Sequence, residues 1–159
     1  MEQKSLSKWL KFIIAGIGLC GLVIYLLVVP VFGSELAEQN PEYAFAYYPW
    51  AVFLWITAIP CYAVLFFGWR ISDKIGRDQS FCIENAVDLK RISVLAAGDS
   101  IFFFAMNIIY LFLGMNHPGI VLASLIVTFI GVSITVAAAA LSHLVMKAAK
   151  LQEDSDLTI

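Results

Sequence analysis

Charge is scarce in this chain. Asp, Glu, Lys and Arg together supply only 14% of its 159 residues, against about a quarter in an ordinary soluble domain. With 61% of residues hydrophobic and a mean hydropathy of +0.86, too little polar surface is left to wrap a water-soluble core. Catalytic signatures are missing as well. No CxxC, HExxH, GxSxG, phosphate-loop or dinucleotide-binding glycine pattern occurs, so no enzymatic activity is expected. Cys20 and Cys61 fall in apolar runs and Cys82 in a connecting segment, which excludes an extracellular disulfide framework. The only histidines, His117 and His143, would lie ~39 Å apart along one helix, too far to share a haem. No cofactor is expected.

Basic residues are absent from long stretches, and that absence is informative. All ten Lys and Arg lie before residue 12, between 70 and 91, or between 147 and 150. The segments between them alternate as crossings need, because a helical span takes ~20 apolar residues. The expected spans are about 12–33, 49–69, 92–114 and 120–146, with a cytoplasmic segment 71–91 and a cytoplasmic tail 147–159. The fold class is therefore an all-α, integral membrane four-helix bundle in one domain. The positive-inside rule puts both termini of this multi-pass chain in the cytoplasm. A cleaved signal peptide competes for the first run, with Val31-Phe32-Gly33 as its cleavage site. The run is longer than the ~7–15 residues of a signal core, so a retained anchor is expected. The first external loop is expected from Gly33 to Tyr48, and a tight external turn at Asn116-His117-Pro118-Gly119. Between the second and third spans, the helix is expected to run to Ile75, stop at Gly76 and restart near Ser80.

The third span carries the one acid placed deep in an apolar run, Asp99. Ala96, Asp99, Phe103, Asn107, Tyr110 and Gly114 recur at helical steps, giving an intramembrane polar stripe around which the other spans should pack. Asp99 is expected to be neutralised and hydrogen-bonded to Asn107, or across to Thr135 and Ser142; proton relay and binding of a basic partner helix are the alternatives. Counting from the inner boundary, Cys20, Cys61 and Asp99 fall at about one depth, roughly 12–14 Å in. Two thiols and a carboxylate could begin a metal site. Structural sites usually need four ligands, so gap-filling is the reading retained and no metal is expected. On the fourth span Ser124, Thr128, Gly131, Thr135, Ala138 and Ser142 share one face, the pattern of a close helix–helix seam against the third span.

At the cytoplasmic side the bases hug the bilayer while acids extend beyond them: Asp73, Asp78, Glu84 and Asp88, then Glu153, Asp154 and Asp156 in the tail. Such a rim disfavours direct nucleic-acid binding.

Several local patterns occur in order: Pro41-Glu42-Tyr43-Ala44 followed by Tyr48-Pro49, Thr57-Ala58-Ile59-Pro60, the segment Phe81 to Ile92 with Lys90-Arg91-Ile92, and the ending Asp156-Leu157-Thr158-Ile159. Together they resemble the bacterial membrane family called domain of unknown function 2975. The resemblance implies four spans in the bacterial cytoplasmic membrane and, through the family's gene neighbourhood, a small helix-turn-helix regulator as partner. It implies no reaction and no catalytic residues. The leading expectation is a non-enzymatic membrane protein that senses, or tethers such a regulator on its acidic rim. The alternative is a small transporter or channel-like subunit using Asp99. Besides lipid and regulator, a second copy of the chain is a candidate partner.

Overall fold

The computed structural model describes residues 3–157, with side chains as far as 155, so the Asp156 side chain and the ending Thr158-Ile159 lie outside the described residues. No strand occurs among them. Four helical rods are long and apolar enough to cross a membrane: Gln3–Gln39, Pro41–Ile75, Ile83–Phe112 and Pro118–Ser155.

The first rod is not uniform. Helix α1 (Gln3–Val23) passes through a π-helical turn (Ile24–Val28) into α2 (Val29–Gln39). The turn closes with the Val29 amide reaching back five residues to the Ile24 carbonyl. This slack precedes Pro30, which has no amide to continue an ordinary ladder. The helix therefore survives the expected stop at Gly33. Ser34 Oγ donates to Val31 O at 2.9 Å, Gln39 pairs with Glu35, and the end comes at Asn40 and Pro41. The expected external loop is thus reduced to Asn40 and a 3-10 stretch, Pro41–Ala46.

Helix α3 (Tyr47–Ile75) runs through Pro60 and ends at Gly76. The loop that follows uses Asp78 in the left-handed region, at φ 60°, a conformation Asp tolerates. Helix α4 (Ile83–Phe112) starts after an extended Cys82 and is continuous from the polar segment into the apolar one. It stops before the turn expected at Asn116, because Gly114 takes φ +70° and the Met115 amide folds back onto Tyr110 O at 2.9 Å. Helix α5 (Pro118–Leu157) is the last described element.

Neighbours in sequence pack antiparallel: α1 on α3, α3 on α4, α4 on α5. Among the described residues, no backbone approach within 8 Å joins α1 to α4 or α5, nor α3 to α5. The bundle is an open row, with α4 its most enclosed member. Held between α3 and α5, it supplies Asn85, Ala86, Asp88, Ile92, Ser93, Ser100, Asn107 and Tyr110 to the buried set. The α1–α2 rod buries only Ser7 among its described residues. Its exposed Phe12, Leu19, Leu26 and Phe32 would be unsuited to water and match lipid tails.

All ten basic residues gather at one end of the row. That end is knotted by hydrogen bonds: Ser7 Oγ to Ser72 O at 2.6 Å, Ser142 Oγ to Ala86 O at 2.7 Å, and Ser80 Oγ to Gln3 Oε1 at 2.9 Å. Asn85, 1% exposed, closes the connecting loop by donating to Gln79 O and Ser80 O. The opposite end is held by aromatics. Phe53 packs on Trp50, Phe102, Phe103 and Tyr110, while Trp50 Nε1 donates to Met115 O and Tyr110 OH to Pro49 O, both at 2.9 Å.

Candidate functional site

Halfway along the row, three rods converge on one carboxyl. Asp99 on α4 accepts the Cys61 thiol of α3 at its Oδ2, 3.7 Å away. Its Oδ1 is buried and has no hydrogen-bond partner among the described residues. Tyr25, in the π-helical turn, sits beside Thr57 and Cys61 with Asp99 behind them. The turn loosens the local ladder, and Trp55 Nε1 of α3 caps the Tyr25 carbonyl at 3.0 Å. Such π-turns inside long helices recur at functional sites. Chemically, the group offers a carboxyl, a thiol, a phenol and a hydroxyl within one layer. It can exchange a proton or hold a polar guest at Oδ1.

This differs from the single polar stripe of Asp99, Asn107 and Tyr110. Phe103 turns onto Phe53 between them, so the stripe splits. Asn107, 1% exposed, donates to Phe103 O and receives the Asn116 amide on its carbonyl and side-chain oxygens. Tyr110 belongs to the aromatic end. Neither reaches Asp99, and Thr135 and Ser142 are also committed elsewhere. Cys20 stays away too. It is exposed on α1, off the face where Tyr62 OH donates to Gly18 O at 2.7 Å.

The α5 residues Ser124, Thr128, Gly131, Thr135, Ala138 and Ser142 lie along α4. Gly131 allows the closest approach: a Cβ there would overlap Ser100 Oγ and stand 3.2 Å from Ser100 Cβ. Ser93 Oγ bridges the seam to Thr135 O at 2.9 Å. Thr135 and Ser124 hydroxyls bond to their own helix, and Thr128 Oγ1 is buried without a partner among the described residues.

The acidic rim is smaller than the sequence suggests. Asp88 is 1% exposed and pairs with Arg70 Nε at 3.5 Å and Arg91 at 3.1 Å, so it faces inward and cannot meet a docking molecule. Asp73 is ion-paired with Lys11. Asp78, Glu84, Glu153 and Asp154 remain outward; Asp156 lies outside the described side chains. The Glu84 carboxyl is held below the ordinary glutamate range, first by its own backbone amide, then by Cys82 and the Lys74 charge.

Sequence reasoning missed Tyr25, Thr57 and Asn85. The available signals were a lone tyrosine five residues before Pro30 in an apolar run, a hydroxyl one helical turn before Cys61, and an Asn just after a polar loop.

The profile of the family described as "Protein of unknown function (DUF2975)" matches residues 31–159. Across 153 residues the chain is 31% identical to "Uncharacterized membrane protein YoaS" of Bacillus subtilis (strain 168), covering 95% of this chain and 96% of that one. No solved structure matches.

Proposed function

Since the chain belongs to the DUF2975 membrane family, we propose that it works without catalysis, as a sensor or anchor in the bacterial cytoplasmic membrane whose basic end faces the cytoplasm. The observation that carries this reading is the Asp99–Cys61–Tyr25 junction at the π-turn. It joins a carboxyl that keeps one oxygen without a partner among the described residues to a π-helical segment of the first rod. Two hollows, of about 310 and 520 Å³, lie between α4 and α5 and at the aromatic end, and neither is lined by Asp99. A sensor needs a responsive element; a transporter also needs a path. A change at the π-turn moves α1, and α1 is tied to the cytoplasmic end through Ser7–Ser72 and Lys11–Asp73.

The output in this reading is a small basic helix-turn-helix regulator, steered to Asp78, Glu84, Glu153 and Asp154 in competition with DNA. Co-purification at low salt tests it, with wild type beside a variant carrying Asp78→Asn, Glu84→Gln, Glu153→Gln and Asp154→Asn. The variant should lose the regulator; equal recovery from both would refute the tether. Reporter fusions at Gln39 and Asn116 should read outside, and those at Gln79 and Ile159 inside.

A further inference from the structure

Arg70 and Arg91 come from different helices and converge on one buried carboxylate. Asp88 holds Arg70 Nε as an ion pair at Oδ2 and accepts a hydrogen bond from Arg91 at Oδ1. Arg91 also lies over the Phe67 ring, 5.4 Å from its centre. Each guanidinium has five N–H donors, and Asp88 engages only one edge of each. Their side chains remain 40% and 51% exposed. The cluster carries one net positive charge, held in place from behind by a group that water does not reach. One turn along α3, the Lys74 nitrogen is buried and its charge acts on Glu84, so it stands apart from this cluster.

The level of this cluster identifies the visitor. Trp69 precedes Arg70 and Ile92 follows Arg91, and the outward side chains next to them, Phe66 and Val94, are apolar and 60% and 63% exposed. The free donors therefore open where lipid tails give way to headgroups. Paired guanidiniums suit a phosphate because their planar forks bind its oxygens bidentately, and Arg is weakly hydrated enough to do so at an interface.

We propose that Arg70 and Arg91, fixed by Asp88, form a binding site for the phosphate of an anionic phospholipid headgroup. The site rests only on the membrane-spanning reading, and stands or falls separately from the regulator tether. Asp88 is a positioning residue: it aligns the two forks and does not touch the phosphate.

Asp88→Asn separates a built site from diffuse attraction, because it raises the local charge by one while removing the ionic brace. The protein is purified in uncharged detergent, and its unfolding temperature is read against added phosphatidylglycerol, phosphatidylcholine or inorganic phosphate at constant ionic strength. Phosphatidylglycerol should stabilise wild type in a saturable way. Asp88→Asn should bind it about tenfold more weakly, the scale of one charge-assisted hydrogen bond. Lys147→Gln/Lys150→Gln, which removes charge at the same end, should bind as wild type does. A triple variant, Asp88→Asn/Arg70→Gln/Arg91→Gln, leaves no orphaned carboxylate and should show no saturable gain. Unchanged or tighter binding by Asp88→Asn would overturn the proposal, as would an equal loss in the lysine variant. Stabilisation by inorganic phosphate or phosphatidylcholine equal to that by phosphatidylglycerol would overturn the assignment to an anionic lipid.

Discussion

Asp88 and Asp99 sit on one helix, about 16 Å apart along its axis, and the fold treats them in opposite ways. Asp88, the more deeply buried, is answered by two arginines from two helices, although its Oδ2 meets Arg70 only as an ion pair at 3.5 Å and accepts no hydrogen bond among the described residues. Asp99 meets a single thiol and keeps one oxygen without a partner among the described residues. The first arrangement is a brace, since a buried charge is tolerated when its counter-charges are supplied. The second leaves an interaction unused inside a membrane-level layer, beside a helix turn that is itself irregular. Other buried polar atoms also lack a hydrogen bond among the described residues, Thr128 Oγ1 and Asn85 Oδ1 among them, but of these groups Asp99 is the carboxyl that has no basic partner there and lies beside the irregular turn.

The comparison can be broken hardest at the brace. Arg70→Gln/Arg91→Gln strands the Asp88 carboxylate and should lower detergent-measured stability by ~3 kcal/mol, the low end for a broken buried pair because the arginines are half-exposed. Asp88→Asn, which strands nothing buried, should cost far less in the same melt. At the other carboxyl, the π-turn is the sensitive part. Trp55→Phe uncaps the Tyr25 carbonyl where no water can replace the indole, at a cost of ~1–2 kcal/mol, and should raise amide exchange along Ile24–Val28. Asp99→Asn keeps shape and an acceptor for Cys61, so its melting should move by less than ~1 kcal/mol. If regulator recovery nevertheless vanished in Asp99→Asn with melting unchanged, the responsive role of the carboxyl would be established over a packing role.

A third α4 carboxylate gives the smallest effect. Glu84 is fully exposed and its folded form ionises more readily than the unfolded one. Its contribution to the start of α4 is therefore present above the ordinary glutamate range and lost as pH falls through the lower, folded value. Amide exchange over residues 83–86 should quicken on that acid limb, and Glu84→Gln should remove the dependence.

How far these sites were legible differs for physical reasons. That Asp99 and Cys61 share a depth follows from counting residues at a fixed rise, and it applies equally to Cys20. Their grouping also needs rotation, and the first rod turns Tyr25, not Cys20, toward α3. Asp88 read as a rim acid because Arg70, its partner across the interface, lies eighteen residues earlier on another helix. Its i,i+3 spacing to Arg91 was the local hint. The stripe from Asp99 to Tyr110 was geometrically sound as one helix face, yet Phe103 on that same face packs into Phe53 and divides it.

By itself the sequence determined the membrane class, the number of long apolar helices, the stop at Gly76 and the gathering of every basic residue at one end. Those properties depend on composition, run length and local backbone chemistry, which accumulate along one dimension. Only the tertiary structure decided that the helices stand in an open row, that the first rod continues past Gly33 by way of a π-turn, and which carboxylate is braced and which is left open. The row and the two carboxylates depend on the rotation of each helix about its axis, and that angle is set by the side chains of a neighbour. The π-turn depends on the same contacts, since Trp55 of the neighbouring helix holds the carbonyl inside it.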